Sequence, residues 1–287
     1  MKQSERWMEE GKTGKTGNTA KQPGITDSHA HLCSRQLFPR WEEVVREARK
    51  AGIEKILIVC TEVEEARKAI RVAEGDPMFD VAAAFYPNDI LKVTDRDWEE
   101  MEQLIRSPQI KVVGEIGMDY YPYENPVPKE MQKQAFIRQM RLANELGKPV
   151  SIHMRLATED TRSYMKEYLR VPGIMHCYSG GYRAMGDFLD MGMYISFSGN
   201  ITFELEDEET QRAVREVPMD RILIETDAPS LTPAPVQDRE NEPKYITHVI
   251  DHICRLRGIE RETLIHASSE NYKRLIEKHS GDMSRTF

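Results

Sequence analysis

Histidines and carboxylates recur at the ends of short apolar runs in this sequence, with a spacing that suits metal binding. The first pair stands in the run Ile25 to Leu32, where His29 and His31 are two residues apart. On an extended strand, residues two apart point to the same face, so both imidazoles would be available to one ion. Neutral imidazole binds divalent transition metals well. The alternative interpretation is a surface loop with two unrelated histidines, and ligands elsewhere decide between the two.

Further ligand residues follow later apolar runs in the same way. Each alone has an ordinary explanation, such as a buried histidine bonded to a backbone carbonyl or a carboxylate that caps a helix. Their recurrence favours a shared site. The candidate metal ligands are His29, His31, Glu115, His153, His176 and Asp227. Arg155 follows one of these runs and is the candidate for binding a phosphate, with pairing to Asp119 or Asp160 as the alternative.

The number of candidate ligands indicates more than one ion. Four histidines and two carboxylates exceed the ligand set of one four-coordinate metal. They suit two divalent ions that share Glu115 as a bridge. Two such ions lower the pKa of a bound water and stabilise negative charge on a substrate oxygen. The predicted chemistry is therefore hydrolysis. Mixed histidine and carboxylate ligands accept Zn²⁺, Mn²⁺ or Mg²⁺, and the choice stays open.

The ligands need a scaffold that brings distant segments together, and the hydrophobic pattern predicts one. From residue 25 onward, short apolar runs alternate with amphipathic helical stretches. Runs rich in Ile, Val, Met and Ala are typical of parallel strands buried on both faces. The predicted strands are Ile25 to Leu32, Lys55 to Cys60, Val81 to Tyr86, Ile110 to Ile116, Val150 to Met154, Gly173 to Tyr178, Met193 to Ser198 and Arg221 to Thr226.

This alternation predicts an α/β fold, a single (β/α)₈ barrel of the TIM type, with extra C-terminal helices at Glu242 to Gly258 and Arg261 to Lys278. Functional groups of such barrels lie at the carboxyl ends of the strands, where these ligands stand. The alternative is a doubly wound open sheet, which normally has a glycine-rich turn after its first strand. The predicted domains are a flexible N-terminal tail, residues 1 to 24, and the barrel, residues 25 to 287.

Composition limits the class of protein. The 287 residues are 39% hydrophobic and 31% charged without an apolar run long enough for a bilayer, which predicts a soluble globular protein. Scattered cysteines and the lack of an apolar signal core predict reduced thiols and a cytoplasmic location. The net charge of −8 disfavours a protein that holds duplex DNA across a basic face, whereas a metal-lined pocket for one or two phosphates remains compatible. The segment Gly11 to Thr16 lacks the upstream glycine and the strand of a phosphate-binding loop, so it receives no function.

A set of short segments occurs in order between residue 25 and about residue 275. They are Asp27-Ser28-His29-Ala30-His31, Gly114-Glu115-Ile116-Gly117-Met118-Asp119-Tyr120, Ile152-His153-Met154-Arg155, His176-Cys177-Tyr178-Ser179-Gly180, Ile195-Ser196-Phe197-Ser198-Gly199, Glu225-Thr226-Asp227-Ala228-Pro229, Asn241-Glu242-Pro243 and Asn271. Together they resemble the motifs of the TatD-like metal-dependent deoxyribonucleases, within the amidohydrolase superfamily. Two positions depart from the family pattern: Leu156, where an acidic residue is frequent, and Tyr178, where phenylalanine is usual.

The resemblance implies a barrel with a two-metal site formed by the six candidate ligands, and a nuclease activity that depends on divalent metal. It implies that Asp227 binds metal and helps to activate water. Glu115, the predicted bridge, is the other residue that we predict to be catalytic. The implied reaction is hydrolysis of phosphodiester bonds in DNA by a 3′-5′ exonuclease that acts on ends or single strands. We expect no membrane contact and no obligate protein partner. Glu225 receives no role.

Two other functions stay open. One keeps the metals but changes the bond to a carboxylic ester or amide, for instance the aminoacyl ester of a tRNA. Relative turnover of oligonucleotides and acyl esters distinguishes this hydrolase from a nuclease. The other function is a binding or scaffold protein with a structural metal. The ligand types disfavour it, because closed structural zinc sites usually contain cysteine.

Overall fold

The structure, a computed structural model, describes residues 24–204 and 207–280, which form a ring of parallel strands surrounded by helices. The strands are β1 (Ile25–Ala30), β2 (Ile53–Cys60), β3 (Phe79–Ala83), β4 (Ile110–Asp119), β5 (Val150–Arg155), β6 (Gly173–Met175), β7 (Met193–Phe197) and β8 (Ile222–Ile224). The α-helices are α1 (Trp41–Lys50), α2 (Val63–Gly75), α3 (Asp95–Arg106), α4 (Lys129–Leu146), α5 (Thr158–Tyr168), α6 (Gly181–Asp190), α7 (Glu208–Glu216), α8 (Ile246–Arg257) and α9 (Arg261–Ser280). Short 3₁₀ helices lie at Phe38–Arg40, Pro87–Lys92, Gly199–Thr202, Ala234–Val236 and Pro243–Tyr245.

The predicted N-terminal tail lies outside the described residues apart from Gly24, and so does the segment Gly11 to Thr16. None of the helices in the described ranges has both the length and the apolar character needed to cross a membrane.

Each strand pairs in parallel with the next along the chain, from β1 to β8. The ring closes where Ala30 and Ala228 form a parallel bridge. Beside it, the His31 N–H donates to the Ala228 carbonyl (2.8 Å) and the Asp227 N–H donates to the His29 carbonyl (2.9 Å). The predicted (β/α)₈ barrel with additional C-terminal helices is therefore confirmed, and the doubly wound alternative is wrong. The closing hydrogen bonds also place the first and last candidate ligands side by side.

The apolar side chains form an outer and an inner layer, because successive residues of a strand point to opposite faces. Along β2, Ile56 and Ile58 belong to the layer that packs against the surrounding helices. Leu57 and Val59 belong to a separate cluster with residues of the other strands. This double burial explains why the strands read as nearly continuous apolar runs.

The last helix, α9, covers the amino end of the barrel. Tyr272 and Leu275 are buried in the inner cluster with strand residues. The Asn271 side-chain amide donates to the Ile222 carbonyl (2.9 Å), at the first residue of β8. The Ser269 hydroxyl donates to the Gly24 carbonyl (2.7 Å), just before β1. The opposite, carboxyl end of the barrel is the end that carries the candidate ligands.

Strand β4 is longer than predicted: it runs to Asp119 rather than ending at Ile116, so Glu115 lies inside the strand. Gly117 permits this extension. Its φ is +148°, and a Cβ there would be 1.9 Å from the His153 carbonyl oxygen. Only glycine lets β4 and β5 approach so closely.

Strands β6 and β8 are shorter than predicted, because they end at Met175 and Ile224. His176 consequently lies in the connection after β6 rather than in the strand, and Asp227 lies three residues beyond β8 rather than directly after it. The physical reason is backbone conformation: Cys177 has a φ of 43° and Asp227 a φ of 57°. A residue in the left-handed region turns the chain out of the extended conformation.

Candidate metal centre

The two histidines at the end of β1 converge as their spacing predicts. His29 is the last but one residue of β1 and is fully buried, and His31 follows the strand directly. Their Nε2 atoms are 3.2 Å apart. The same-face geometry predicted for this pair is therefore confirmed, and the surface-loop interpretation is wrong.

Three candidate ligand atoms, from His29, His31 and Glu115, lie within ligand distance of one another, and a fourth, from Asp227, lies close to both imidazoles. Glu115 Oε2 is 3.5 Å from His29 Nε2 and 3.6 Å from His31 Nε2. Asp227 Oδ1 is 3.7 Å and 3.5 Å from the same two nitrogens. Ligands about 2.1 Å from a tetrahedral ion are about 3.4 Å from one another. The measured separations therefore fit a divalent ion held by His29, His31 and Glu115, with Asp227 near enough to the two imidazoles to be a further candidate ligand.

The second oxygen of Glu115 faces another group of ligands. Glu115 Oε1 is 2.7 Å from His153 Nδ1 and 3.3 Å from His176 Nε2. The two groups adjoin, because the His29 and His176 rings are stacked with centroids 3.6 Å apart. All six candidate ligands thus meet at one centre, with Glu115 between the groups. Their function as ligands, and the bridging role of Glu115, stay predictions.

Two of the imidazoles are oriented by neutral groups. His31 Nδ1 is 3.2 Å from the Val59 carbonyl oxygen, and His29 Nδ1 is 3.4 Å from Ser151 Oγ. A carbonyl oxygen can only accept, so His31 carries a proton on Nδ1 and turns Nε2 towards the centre. Metal-binding histidines usually have such a partner on the second nitrogen.

The other two imidazoles are oriented by buried carboxylates. His153 Nε2 is 3.1 Å from Asp119 Oδ2, and His176 Nδ1 is 2.8 Å from Glu225 Oε1. From the sequence alone, Asp119 is only a possible partner for Arg155, and Glu225 receives no role. The spacing of Asp119 could have indicated its role, because it lies two residues from Gly117 and four from Glu115 along one strand. Alternate residues of a strand share a face.

Glu225 is held in place by the backbone as well. It is fully buried, and its Oε1 atom also accepts a hydrogen bond from the Cys177 N–H (2.8 Å). Its Oε2 atom has no hydrogen-bond partner among the described residues. The position of this carboxylate therefore depends on His176 and on the turn that follows β6.

The buried groups shift one another's pKa. Burial raises the pKa of Glu115, but His176 and His153 outweigh it and hold that pKa well below its ordinary value. Burial raises the pKa of Asp227 as well, but His176 and His31 bring it below the ordinary value. Burial lowers the pKa of His176, whereas Glu225 and Glu115 raise it well above the usual value. Ionised carboxylates next to basic imidazoles give the centre a strong affinity for positive charge.

The centre lies in a cavity of about 550 Å³ at the mouth of the barrel, which Arg155 also lines. The guanidinium of Arg155 donates to the Tyr123 hydroxyl (3.0 Å). The alternative partners of Arg155 bond to other groups: Asp119 to His153, and Asp160 to the Tyr120 hydroxyl (2.5 Å). Arg155 is thus available to a ligand in the cavity.

Residues 26–277 match the sequence model of one protein family, described as TatD related DNase. The chain belongs to this family. It is 35% identical over 254 residues to the uncharacterized metal-dependent hydrolase YabD of Bacillus subtilis, a match that covers 88% of this chain and 98% of the relative. It is 32% identical over 259 residues to the 3′-5′ ssDNA/RNA exonuclease TatD of Edwardsiella piscicida, covering 88% of this chain and 99% of that protein.

The fold agrees with the TatD family. The crystal structure of YJJV, a TatD homologue from Escherichia coli, superposes with a TM-score of 0.82 at 26% identity, covering 88% of this chain and 98% of that one. The protein is thus a metal-dependent hydrolase of the TatD family, with the barrel fold of its TatD homologue. Tyr178 is one of the two departures from the family pattern. It is buried and its hydroxyl donates to the Gly181 carbonyl (2.8 Å), so the barrel accommodates the oxygen that the usual phenylalanine lacks.

Proposed function

We propose that this protein removes nucleotides from the ends of single-stranded DNA, in the 3′ to 5′ direction, by hydrolysing phosphodiester bonds with two divalent metal ions. The ions would be Zn²⁺, Mn²⁺ or Mg²⁺. TatD relatives named as 3′-5′ ssDNA/RNA exonucleases support the choice of substrate.

The observation that carries the proposal is the arrangement of ligand atoms around Glu115. One carboxylate oxygen lies with His29 and His31, and the other lies with His153 and His176. A carboxylate between two sets of nitrogens is the arrangement expected of a bridged two-metal hydrolase. When bound, two divalent ions supply a water of lowered pKa and offset the negative charge that develops on the phosphate.

Asp227 is the residue we propose as the proton acceptor. Its carboxylate is ionised at neutral pH, because His176 and His31 keep its pKa below the ordinary value despite burial. Its N–H bond to the His29 carbonyl and its left-handed backbone hold it at the closing point of the barrel. It can therefore take a proton from the attacking water without a change in position.

Arg155 is the residue we propose for binding phosphate. Among the described residues that line the cavity, it is the one arginine or lysine. Its planar guanidinium has donors beyond the one that binds Tyr123, and these suit two oxygens of a phosphate. One such contact is compatible with the net charge of −8, because an end-directed enzyme grips few phosphates.

The test is cleavage of a single-stranded DNA oligonucleotide, labelled separately at each end, by protein reconstituted with one metal at a time. We expect shortening from the 3′ end, and its loss in Asp227→Asn and Glu115→Gln. Removing a catalytic carboxylate should lower the rate by about 100-fold or more. The matched control is Asp251→Asn, which alters an exposed carboxylate on α8 and should leave the rate unchanged.

Three outcomes would contradict parts of the proposal. Wild-type rates in Asp227→Asn would remove the assigned role of that residue. Shortening from the 5′ end would reverse the direction. Absence of cleavage with every divalent metal, together with turnover of an aminoacyl ester, would favour the ester or amide hydrolase over the nuclease.

A further inference from the structure

One side of the cavity mouth carries exposed apolar side chains. Among the described residues, the large hydrophobic side chains that are exposed are Leu91, Tyr121, Tyr123, Met131 and Leu156. All five lie on the connections after β3, β4 and β5 or in the first turn of α4. Exposed apolar side chains that contact one another beside a cavity indicate a binding surface, and Tyr121 and Tyr123 are in such contact.

Two of these residues form an aromatic cluster with Arg155. The Tyr121 and Tyr123 ring centroids are 4.9 Å apart. The Arg155 guanidinium lies 3.9 Å from the Tyr121 ring centroid and donates to the Tyr123 hydroxyl at 3.0 Å. Even so, Tyr121 stays 41% exposed and Tyr123 37% exposed. Part of each ring is therefore open to a ligand.

The aromatic cluster is attached directly to the metal centre. The Tyr123 hydroxyl donates to Asp119 Oδ2 (3.1 Å), and the Tyr121 N–H donates to Asp119 Oδ1 (2.9 Å). The same Asp119 carboxylate bonds His153 Nε2 at 3.1 Å. Tyr123 and Arg155 also line the cavity that holds the candidate ligands. A group bound on the tyrosines thus lies within the same cavity mouth as a phosphate bound at the centre.

We propose that Tyr121 and Tyr123, with Arg155, form a stacking platform for a nucleobase of the strand that is cleaved. This inference rests on the proposed function and adds how the strand is selected. Aromatic faces and guanidinium planes stack on any base, and they bind single strands with little sequence preference. A base inside a duplex has both faces covered by its neighbours, and a terminal paired base has one face covered and is held by its partner strand, so the platform favours an unpaired end.

A nucleobase fits this surface better than an apolar protein segment does. The open area is built from π faces and a cation rather than from aliphatic side chains alone, and it continues into a cavity whose ligands suit a phosphate. A nucleotide carries a base and a phosphate on one sugar, and the platform suits the base while the metal centre suits the phosphate.

The test measures binding of an oligonucleotide whose terminal base is 2-aminopurine, a fluorescent base that is quenched by stacking. Its terminal linkage is a phosphonate that hydrolysis does not cleave, so metal-loaded wild-type protein can be used. We expect quenching by the wild type, roughly 5- to 100-fold weaker binding by Tyr121→Leu, and affinity within about 2-fold of the wild type for Tyr121→Phe. The matched control is Tyr168→Leu at the end of α5, on the opposite face of the barrel, which should bind like the wild type.

A second oligonucleotide isolates the stacking energy. It ends in an abasic sugar, and its binding is followed by competition with the fluorescent strand. For the wild type we expect the missing base to weaken binding at least as much as Tyr121→Leu does, and for Tyr121→Leu we expect the missing base to cost less than it costs the wild type. Two changes that remove the same contact do not add.

The outcomes separate this proposal from the proposed function. Equal affinity of Tyr121→Leu and wild type, or absence of quenching by the wild type at either end, overturns the platform even where the enzyme cleaves DNA. Quenching that depends on Tyr121, without cleavage of a natural oligonucleotide by any metal, supports the platform and overturns the phosphodiesterase.

Discussion

At the scale of single residues, the centre depends on the groups that bond to the ring nitrogen of each histidine that faces away from it. The second ring nitrogens of the four histidines are bonded to the Val59 carbonyl, Ser151, Asp119 and Glu225. Each bond fixes the ring orientation and the nitrogen that faces the centre. These four partners, as much as the ligands themselves, make the site ready for an ion.

Glu225 permits a sharp test of this support. Glu225→Gln keeps an oxygen that can accept from His176 and Cys177 but removes the negative charge. We expect metal affinity to fall by about 10- to 100-fold, because the imidazole becomes a weaker ligand. The measurement is a competition titration with a coloured chelator, combined with circular dichroism to verify the fold.

The control for this prediction is Glu240→Gln. Glu240 is an exposed carboxylate that pairs with Arg40, and exposed pairs contribute little to stability or to a distant site. It should bind metal like the wild type. Unchanged affinity in Glu225→Gln would mean that the carboxylate has only a packing role.

At the scale of elements, the connections at the carboxyl ends of the strands hold the unusual backbone conformations. The non-glycine residues with positive φ in the described part of the chain are Leu156, Cys177, Asp227 and Leu231. They follow β5, β6 and β8, at the mouth that carries the candidate ligands. Such conformations cost free energy and concentrate at functional sites. The strained backbone conformations thus occur at the end of the barrel where we propose that the reaction takes place.

Gly117 links element packing to the site, and Gly117→Ala should disrupt both. A Cβ at this position meets the His153 carbonyl at 1.9 Å with φ at +148°, so β4 must move away from β5. We expect the free energy of unfolding to fall by more than about 1 kcal/mol. We also expect weaker metal binding, because His153 and Asp119 are displaced. Thermal unfolding and chelator competition measure the two effects.

Gly186→Ala is the matched control, since this glycine lies inside α6 and a Cβ there meets nothing within 4 Å. Removing a glycine from a helix interior should stabilise the protein by up to about 1 kcal/mol. A Gly117→Ala protein as stable and as metal-competent as the wild type would refute the close-approach argument.

At the scale of the whole molecule, the barrel separates stability from function. The amino end is covered by α9, with Tyr272 and Leu275 buried against the strands. The carboxyl end holds the cavity, the candidate ligands and the aromatic cluster. Such a division is typical of (β/α)₈ enzymes, in which one face is varied for function while the other maintains the fold.

Leu275→Ala tests this separation. The side chain is 2% exposed, and its truncation leaves a cavity in the inner cluster. We expect a loss of about 2–5 kcal/mol in the free energy of unfolding, measured by chemical denaturation. Metal affinity of the folded protein should stay unchanged, because the ligands lie at the other end. Lys273→Ala, an exposed change on the same helix, should leave both quantities near the wild-type values. A large loss of metal affinity in Leu275→Ala would contradict the separation of stability from function.

The sequence by itself determined the barrel, the order of its strands and the residues that meet at its mouth. These features depend on local patterns: apolar runs of strand length, the two-residue spacing of His29 and His31, and the position of each candidate ligand towards the end of a run. Strands that are buried on both faces need apolar residues along most of their length, so they can be recognised in the sequence. The ligand roles, the number of metal ions and the extent of the domain stay predictions.

Only the tertiary structure decided which group supports each ligand. His176 and Glu225 are 49 residues apart in the chain, and no periodicity joins them. The contacts of Arg155 with Tyr121 and Tyr123, and the longer β4, likewise depend on how neighbouring connections pack. The observed strand ends differ from the predicted ones for the same reason. The left-handed backbone conformation of residues such as Cys177 and Asp227 depends on the turns at the mouth of the barrel, not on the hydrophobic pattern. Contacts between distant segments form only when the ring of strands closes, and for that reason the sequence pattern did not contain them.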